Sequence, residues 1–446
     1  MAADDRSLIE LPKVNLEAVL TKLPLRSLLV CCCVSKSLLN LIKNDSDFAQ
    51  VHLAKSEPRL MIQCLLDPSL HLIDVGTDTA SRVEVKSNFN IPLNGFEITH
   101  SCNGLLLMEH IYQRADLHRC MLFNPVIGEY TLLPETIIRY STVMSGFFYC
   151  PKTHRFEVLC MFYRLKPYSD VSSHIGLDPD SDSDPAVELN HVSDHDTISE
   201  DSDDPEHYSD IVYSEGEAIG EIYVKGSDSW ESLGNLPFSP LTIYDPCHLE
   251  KAVHWICADV TIPNLIVSFN FETHEFGEIP GPAHVGKTHA NPFYDLNLVV
   301  LGNRLSVFDR FTTRRMFNIW VMKEYGVKDS WSREFVFDTT ACGVDLYRFC
   351  TPVTCRNDGE LVVVSVHGLI VFYDLLKKTG RIVDHPPLIF PTRVVTHTPS
   401  LMSLRDVVRG TNLEVVKVAP RLADPNSSAR NNLEISTFSE EAGTAN

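Results

Sequence analysis

Two side chains near the middle of the sequence have the types and spacing that metal sites use. His118 and Cys120 are two residues apart, so in a strand they point to the same face. A histidine nitrogen and a thiolate sulfur are both zinc ligands, but a closed zinc site takes four. The 13 cysteines include no Cys-x-x-Cys pair to supply the others. We therefore predict no metal site and no cofactor, and we interpret the cysteines as buried thiols of an intracellular protein.

The remaining residues offer no enzyme motif. The sequence has no Gly-x-Ser-x-Gly elbow, no phosphate-binding loop and no His-Glu-x-x-His helix. His254, beside Trp255 in a predicted strand, is typical of a core or cross-strand histidine. Four further histidines lie in or beside an acidic stretch, where solvated polar residues are a simpler interpretation than weak ion ligands: His174, His191, His195 and His207. We predict no catalytic residue, and thus a protein that is not an enzyme.

The charge of the chain excludes several classes of partner. Its 446 residues include 59 acidic and 38 basic side chains, for a formal net charge of −21. Nucleic acids and anionic membrane surfaces are bound by Lys and Arg, so we expect neither partner. The longest apolar run, residues 28–34, is shorter than the about 20 residues that a membrane-spanning helix needs. The acidic start is unlike a secretory signal, so we expect the protein in the cytoplasm, the nucleus or both.

Most of this charge is concentrated in one segment. Residues 170–217 contain 16 Asp and Glu, and residues 167–224 contain no Lys or Arg. Few large apolar residues accompany them, so the segment cannot bury enough surface to offset the entropy of ordering. We predict that residues 167–217 form a disordered acidic insertion in a folded domain. Residues 1–10 and 425–446 are predicted to be a disordered N-terminus and a disordered tail.

Residues 11–55 are predicted to form four short, very apolar helices. Asn15 is the predicted N-cap of the first helix, and Pro24 separates it from the second. Ser35 is the predicted N-cap of the third, and Asp45 or Ser46 begins the fourth. A unit of this size rarely forms a sufficient core by itself. Its apolar surface must therefore be covered by the remaining chain or by another protein. The apolar face of the first helix has i, i+3, i+4, i+7 spacing and consists of Leu16, Val19, Leu20 and Leu23.

This module resembles an F-box, the unit that docks onto the Skp adaptor of Skp–cullin–F-box ubiquitin ligases. The resemblance rests on Leu-Pro pairs at 11–12 and 23–24, on Cys-Val-Ser-Lys-Ser at 33–37, and on Phe48 and His52-Leu53. Leu38 stands where plant F-boxes of this type usually carry Trp. The resemblance implies that the following residues bind the adaptor: Leu11, Pro12, Leu16, Val19, Leu20, Leu23, Pro24, Leu28, Val34, Ser35 and Lys36.

From about residue 60 to residue 404, short β-rich runs alternate with turn residues, which favours an all-β sandwich, barrel or propeller. A loose repeat places a strand, an Asn or Asp, a turn and an aromatic residue in sequence, as at 122–130 and 268–276. A second form carries Trp, as at Trp230 and Trp331. Without the insertion roughly 295 residues remain, which at about 40–50 residues per blade predicts six or seven blades of a kelch-like propeller.

This larger part is similar to the F-box-associated domain of plant F-box proteins. The pieces that carry the resemblance are Ser-Cys-Asn-Gly-Leu-Leu-Leu at 101–107, Leu-Phe-Asn-Pro at 122–125, Ala-Val-His-Trp at 252–255 and Ile-Trp-Val-Met at 319–322. We therefore expect a small all-α F-box at 11–55, followed by an all-β F-box-associated domain at 60–166 and 218–410. The acidic insertion departs from the pattern of this family, and the resemblance therefore implies no function for it.

The two resemblances together imply a substrate-recognition subunit of a Skp–cullin–F-box ubiquitin ligase. Such a subunit binds the Skp adaptor, and through it the cullin, by its F-box and binds a client protein by its β domain. The client is then ubiquitinated and degraded by the proteasome. Two alternatives are an adaptor-bound scaffold that does not promote degradation and a β-propeller enzyme with a helical cap. The client itself is not identified by the sequence.

Overall fold

The protein is described from a computed structural model. It describes residues 12–64 except 24, 67–75, 85–90, 95–110, 117–137, 144–165, 216–283 except 228, 260, 261 and 263, 285, 296–313, 316–342, 350–383 except 357, 358 and 366, 388, and 391–417. The predictions of disorder for 1–10 and 425–446, and for nearly all of the acidic insertion, lie outside these residues. The helices are α1 (Lys13–Leu20), α2 (Leu25–Val34), α3 (Lys36–Asn44), α4 (Ser46–Lys55) and α5 (Leu404–Val407).

The domain after the four N-terminal helices is a β-propeller of six blades, which confirms the predicted all-β architecture. Blade 1 contains β1 (Arg59–Cys64), β2 (Asp67–Ile73), β3 (Val85–Asn90) and β26 (Pro391–His397). Blade 2 contains β4 (Phe96–Cys102), β5 (Leu105–His110), β7 (Cys120–Asn124), β8 (Glu129–Leu132) and β27 (Val416–Lys417). A two-stranded ribbon joins β6 (Leu117–His118) to β9 (Thr136–Ile137).

The other four blades are formed by strands consecutive in the chain. Blade 3 contains β10 (Met144–Cys150), β11 (Arg155–Leu165), β12 (Gly216–Val224) and β13 (Glu231–Asn235). Blade 4 contains β14 (Ile243–Leu249), β15 (Ala252–Cys257), β16 (Ile266–Asn270) and β17 (Glu275–Ile279). Blade 5 contains β18 (Leu296–Leu301), β19 (Arg304–Thr313), β20 (Met316–Met322) and β21 (Trp331–Asp338). Blade 6 contains β22 (Cys350–Cys355), β23 (Glu360–Ser365), β24 (Ile370–Asp374) and β25 (Thr379–Val383).

The ring is closed by a strand from the far end of the chain. β26 pairs antiparallel with β1, so that Leu60 faces Thr396 and Arg59 faces His397. The chain then continues beyond blade 1, and β27 adds a fifth, outer strand to blade 2 by pairing with β8. The innermost strands β26, β4, β10, β14, β18 and β22 contact one another in that order around the axis. Closure protects the inner edges that an open sheet would expose.

Apolar side chains fill the spaces between neighbouring blades. Separate clusters of buried residues join blade 3 to blade 4, blade 4 to blade 5, blade 5 to blade 6 and blade 6 to blade 1. Middle strands that are buried on both faces are nearly continuous in apolar residues, as in β15, whose last five residues are all buried. Each cluster therefore forms only when the strands of two neighbouring blades pack together, and no single strand forms the core.

The Trp-containing form of the repeat links neighbouring blades by hydrogen bonds. The indole nitrogen of Trp230, just before β13, donates to the carbonyl of Pro134 at 2.7 Å, beyond the last chain-consecutive strand of blade 2. Trp331 at the start of β21 donates equivalently to the carbonyl of Pro280, also at 2.7 Å, beyond the last strand of blade 4. The sequence repeat therefore marks a repeated contact between the outer strand of one blade and the preceding blade.

The predicted boundaries differ slightly from the strands. The first strand of the propeller begins at Arg59, and β12 begins at Gly216, two residues inside the segment predicted as insertion. Regular structure continues to Lys417 rather than ending at 410. All three differences arise at strand ends where Arg59, Glu217 or Lys417 takes part in strand pairing, which depends on a partner strand and not on local composition.

Candidate functional site

The N-terminal helices are delimited by side-chain caps that the sequence identifies in part. The Ser35 hydroxyl accepts from Leu38 N at 3.1 Å and begins α3, while the Asp45 carboxylate accepts from Phe48 N at 3.0 Å and begins α4. Both caps were predicted. The predicted cap Asn15 is wrong, because α1 begins at Lys13 after Pro12 and no side chain caps it. Proline at this boundary leaves one fewer backbone donor to satisfy, so the helix starts earlier than the capping pattern indicates.

One face of these helices is buried in a common core. Leu28, Ile42 and Phe48 are completely buried, and Leu16 and Leu20 of α1 pack with them. Leu38, which replaces the usual Trp, is also buried in this cluster. The replacement therefore changes the packing between helices rather than their exposed surface.

A second set of apolar side chains on the same helices is exposed to solvent. Val14 is 74% exposed and Val34 is 70% exposed, the largest values among the large apolar residues of the four helices. The set consists of Val14, Val19, Val30, Val34 and Val51. They lie on α1, α2 and α4, and Val30 and Val34 share one face of α2 because they are four residues apart. Exposed large apolar side chains are candidates for contact with another protein. We call these five residues the valine surface.

The residues predicted to bind the adaptor separate into four groups. Leu16, Leu20 and Leu28 are buried, and Leu23 packs against the same core, so they support the helices from within. Ser35 caps α3 and is half-buried. Leu11 and Pro24 lie outside the described residues. The exposed members, which are free to contact an adaptor directly, are Pro12, Val19, Val34 and Lys36.

The segment that follows β26 is held on blade 2 and shares a buried cluster with the N-terminal helices. The Asn124 side chain, completely buried at the end of β7, donates to the carbonyls of Ser400 and Met402 at 3.1 and 2.8 Å. Glu129 accepts from the Ser403 hydroxyl at 2.8 Å and from Leu404 N at 2.9 Å, which holds the start of α5. A single cluster of buried residues includes helices α1–α4, this segment and blades 1 to 3.

Strand directions place the helices and the acidic insertion at opposite ends of the propeller. Arg59, the first residue of β1, faces His397 at the end of the innermost strand, so the helices enter at that end. The Asn103-Gly104 turn, with φ of 47° and 88°, also lies there and approaches Ser400. β11 runs away from this end to Leu165, which pairs with Gly216. The connection of residues 166–215 therefore leaves from the other end, which we call the insertion end.

Buried histidines connect the strands around the propeller axis. His100 Nδ1 lies 2.9 Å from His248 Nε2, and its Nε2 donates to the Ser145 carbonyl at 2.8 Å. Burial lowers the pKa of His100 to about 4 and that of His248 well below its ordinary value. Both rings are thus neutral at neutral pH and serve as hydrogen-bonding links between β4, β10 and β14.

His254 is a core histidine, as the sequence indicates. It is completely buried in β15, its Nε2 lies 2.8 Å from the hydroxyl of Tyr325, and burial lowers its pKa to about 4. The other histidines considered in the sequence, at 174, 191, 195 and 207, lie outside the described residues.

The structure adds a third donor to His118 and Cys120. The sulfur of Cys160 in β11 lies 3.6 Å from His118 Nδ1, and the sulfur of Cys120 lies at the same distance from that nitrogen. On the opposite side of the ring, His118 Nε2 lies 3.1 Å from Glu109 Oε2. All four side chains are buried. We call His118, Cys120 and Cys160 the His–Cys cluster. No local sequence pattern indicates Cys160, because it is 40 residues from Cys120 and belongs to another blade.

Burial and proximity perturb each group of this cluster. Burial raises the pKa of the Cys160 thiol and, more strongly, that of Cys120. Burial acts to lower the pKa of His118, but Cys120 and Glu109 outweigh it and raise this pKa well above its ordinary value. Burial likewise opposes ionisation of Glu109, yet its contact with His118 lowers the pKa of the carboxyl. The shifts of His118 and Glu109 both favour the charged forms of this pair, whereas those of the two thiols favour their neutral forms.

Comparison with known proteins agrees with both parts of this architecture. The F-box domain family matches residues 8–49, and the F-box associated beta propeller domain family matches residues 207–392. F-box protein At3g07870 from Arabidopsis thaliana is 24% identical over 343 residues, covering 74% of this chain and 73% of that protein. F-box protein CPR1 from the same plant is 26% identical over 392 residues, covering 82% and 83%.

Among solved structures, that of apo AztD from Citrobacter koseri covers 78% of this chain and 84% of that one, at 9% identity and a TM-score of 0.29. This similarity is too low to support any conclusion.

In the described part of the chain, no helix has the length and apolar character needed to cross a membrane. The two domain matches and the two relatives settle the family: the chain is a plant F-box protein with an F-box-associated β-propeller domain.

Proposed function

We propose that this protein is the substrate-recognition subunit of a Skp–cullin–F-box ubiquitin ligase. The observation that carries the proposal is the pairing of an F-box that exposes the valine surface with a closed propeller whose insertion end faces away from it. In this assignment the helices bind the Skp adaptor and, through it, the cullin. The propeller binds a client protein, which is ubiquitinated and then degraded by the proteasome.

The valine surface is the proposed adaptor contact. Burial of a whole valine side chain contributes about 1.5–3 kcal/mol, so covering the 70% exposed Val34 is worth about 1–2 kcal/mol. The exposed valines together thus provide a useful part of the free energy of a specific interface. The buried leucines of the module contribute indirectly, because they hold the helices in the arrangement that presents this surface.

The insertion end is the proposed client surface. It lies away from the helices, so a client bound there does not compete with the adaptor for the same residues. The connection between β11 and β12 carries most of the net charge of the chain, which favours a client with a basic surface. Loops on a rigid β scaffold are common binding sites, because the scaffold carries stability while the loops vary.

Such a receptor acts by proximity and requires no catalytic side chain. Holding the client and the ligase on one rigid body raises the effective concentration of client lysines near the conjugating enzyme. We accordingly propose a non-catalytic subunit acting in the cytoplasm, the nucleus or both.

The adaptor contact is tested by Val34→Asp in the full-length chain. We expect at least a 10-fold weaker Kd for the purified Skp adaptor, because about 1.4 kcal/mol corresponds to a factor of ten and the new carboxylate must also lose water. Leu376→Asp is the matched control, since this leucine is 84% exposed on blade 6 and belongs to the propeller. Both variants should melt at the wild-type temperature. Equal adaptor binding by Val34→Asp and wild type would exclude the valine surface.

The recognition role is tested in cells by proximity labelling with and without proteasome inhibition. Proteins that are labelled by wild type and accumulate on inhibition are candidate clients. Their half-lives should lengthen when Val34→Asp replaces wild type, because the client is then held without the ligase. Unchanged half-lives with retained client binding would instead indicate an adaptor-bound scaffold.

A further inference from the structure

The His–Cys cluster brings together three metal-ligating side chains from two neighbouring blades. His118 and Cys120 come from β6 and β7 on the blade 2 side, and Cys160 comes from the middle of β11 in blade 3. Their donor atoms all lie within 4.8 Å of one another, and the three residues are buried. Two thiols and an imidazole are the donor types that select zinc over hard cations such as magnesium or calcium.

The sulfur–nitrogen separations at His118 Nδ1 have the length of an edge of a zinc tetrahedron. A Zn–S bond of about 2.3 Å and a Zn–N bond of about 2.0–2.1 Å place sulfur and nitrogen about 3.5–3.6 Å apart. Both sulfur atoms lie 3.6 Å from His118 Nδ1. The Cys120 sulfur also lies 3.8 Å from Nε2, so its side chain must move toward the Nδ1 side of the ring when zinc binds.

Glu109 has the position of the group that orients a metal-binding histidine. Its Oε2 lies 3.1 Å from His118 Nε2, on the side of the ring away from Nδ1. A carboxylate at this position fixes the ring orientation and leaves Nδ1 to bind the metal. Its other oxygen, Oε1, is buried and makes no hydrogen bond. A cation held by the neighbouring histidine would stabilise the buried negative charge of this carboxylate.

We propose that His118, Cys120 and Cys160 bind a zinc ion that links blade 2 to blade 3. Zinc takes the two thiolates and the neutral Nδ1, so coordination releases to solvent the thiol protons and any proton on Nδ1. The fourth position, as in other sites with three protein ligands, is taken by water. The site is independent of the proposed ligase role. It lies in the blade that continues into the acidic insertion, five residues before the end of β11.

The test is the metal content of the full-length protein, purified without a histidine tag and without chelators. We expect about one zinc per chain by mass spectrometry of the metals. Cys160→Ser should lose most of this zinc, whereas Cys257→Ser, an equally buried cysteine in blade 4, should retain it. Glu109→Gln should bind zinc about 10–100-fold more weakly, the effect of losing a partner of a metal-bound histidine.

Two measurements on the wild type keep the test decisive if a variant fails to fold. A mercurial reagent that breaks zinc–thiolate bonds should release zinc in step with thiol modification, as read by a zinc-sensitive dye. Cobalt added to zinc-stripped protein should give the thiolate charge-transfer and tetrahedral visible bands. Wild-type protein without zinc or such bands would overturn the proposal, as would a Cys120–Cys160 disulfide in freshly purified protein.

Discussion

Asn124 connects blade 2 to the segment that follows β26, so its replacement should loosen that segment specifically. The Asn124 side chain accepts from Val126 N at 3.0 Å within its own turn. It also donates to the Ser400 and Met402 carbonyls. Asn270 has the corresponding place in blade 4 and makes the same local bond, from Glu272 N at 2.8 Å, but it is only half-buried. Comparing alanine variants of Asn124 and Asn270 therefore distinguishes the loss of the turn hydrogen bond from the loss of the long-range contact.

The magnitude follows from the bonds that each alanine variant loses. Both variants lose the turn bond, worth about 1 kcal/mol. Asn124→Ala also leaves two buried carbonyls without their donor, at about 1 kcal/mol or more each. The two variants should thus differ by about 2 kcal/mol, which is about 30-fold in the equilibrium for local opening. We expect the opening to include residues 400–408, because the Ser400 and Met402 carbonyls directly precede the start of α5, which Glu129 holds at Ser403 and Leu404.

Hydrogen exchange followed by mass spectrometry measures this opening in the full-length chain. Peptides that contain the amides of Leu404, Val407 and Val408 should exchange about 30-fold faster in Asn124→Ala than in wild type. In Asn270→Ala the same peptides should exchange at the wild-type rate, and only the turn between β16 and β17 should change. Equal exchange at residues 404–408 in both variants would refute the anchoring role of Asn124.

Two further predictions concern the propeller. Trp331→Phe and Trp230→Phe should each lower the free energy of unfolding by about 1–2 kcal/mol, because each removes the indole donor to a proline carbonyl of the preceding blade; unchanged melting temperatures in both would show that these bonds do not stabilise the ring. Burial lowers the pKa of His397 from 6.5 to about 3. As the pH drops below about 6.5, the unfolded chain therefore takes up a proton at this residue before the folded chain does. The free energy of unfolding falls as a result, by about 2 kcal/mol at pH 5. His397→Gln should remove this part of the loss, which melting temperatures at pH 7 and pH 5 would reveal; an identical fall in the variant would contradict it.

Interactions between near neighbours were readable from the sequence. The caps Ser35 and Asp45 each bond to a backbone amide three residues ahead, so the residue types and their spacing suffice to identify them. The F-box pattern and the alternation of short apolar runs with turns indicated a helical module followed by a β domain for the same reason. Even the Trp form of the repeat was visible, although its bonding partner in the preceding blade was not.

The contacts that complete the molecule join residues far apart in the chain. β26 closes the ring on β1 across more than 300 residues, and Cys160 meets His118 only because blade 3 packs against blade 2. The residue type of Asn15 suggested a cap, yet the helix begins at Lys13 after Pro12. Whether Val34 is exposed and Leu28 buried on the same helix depends on how the four helices pack. Pairing register and packing between elements depend on all partners at once, so local residue patterns do not determine them.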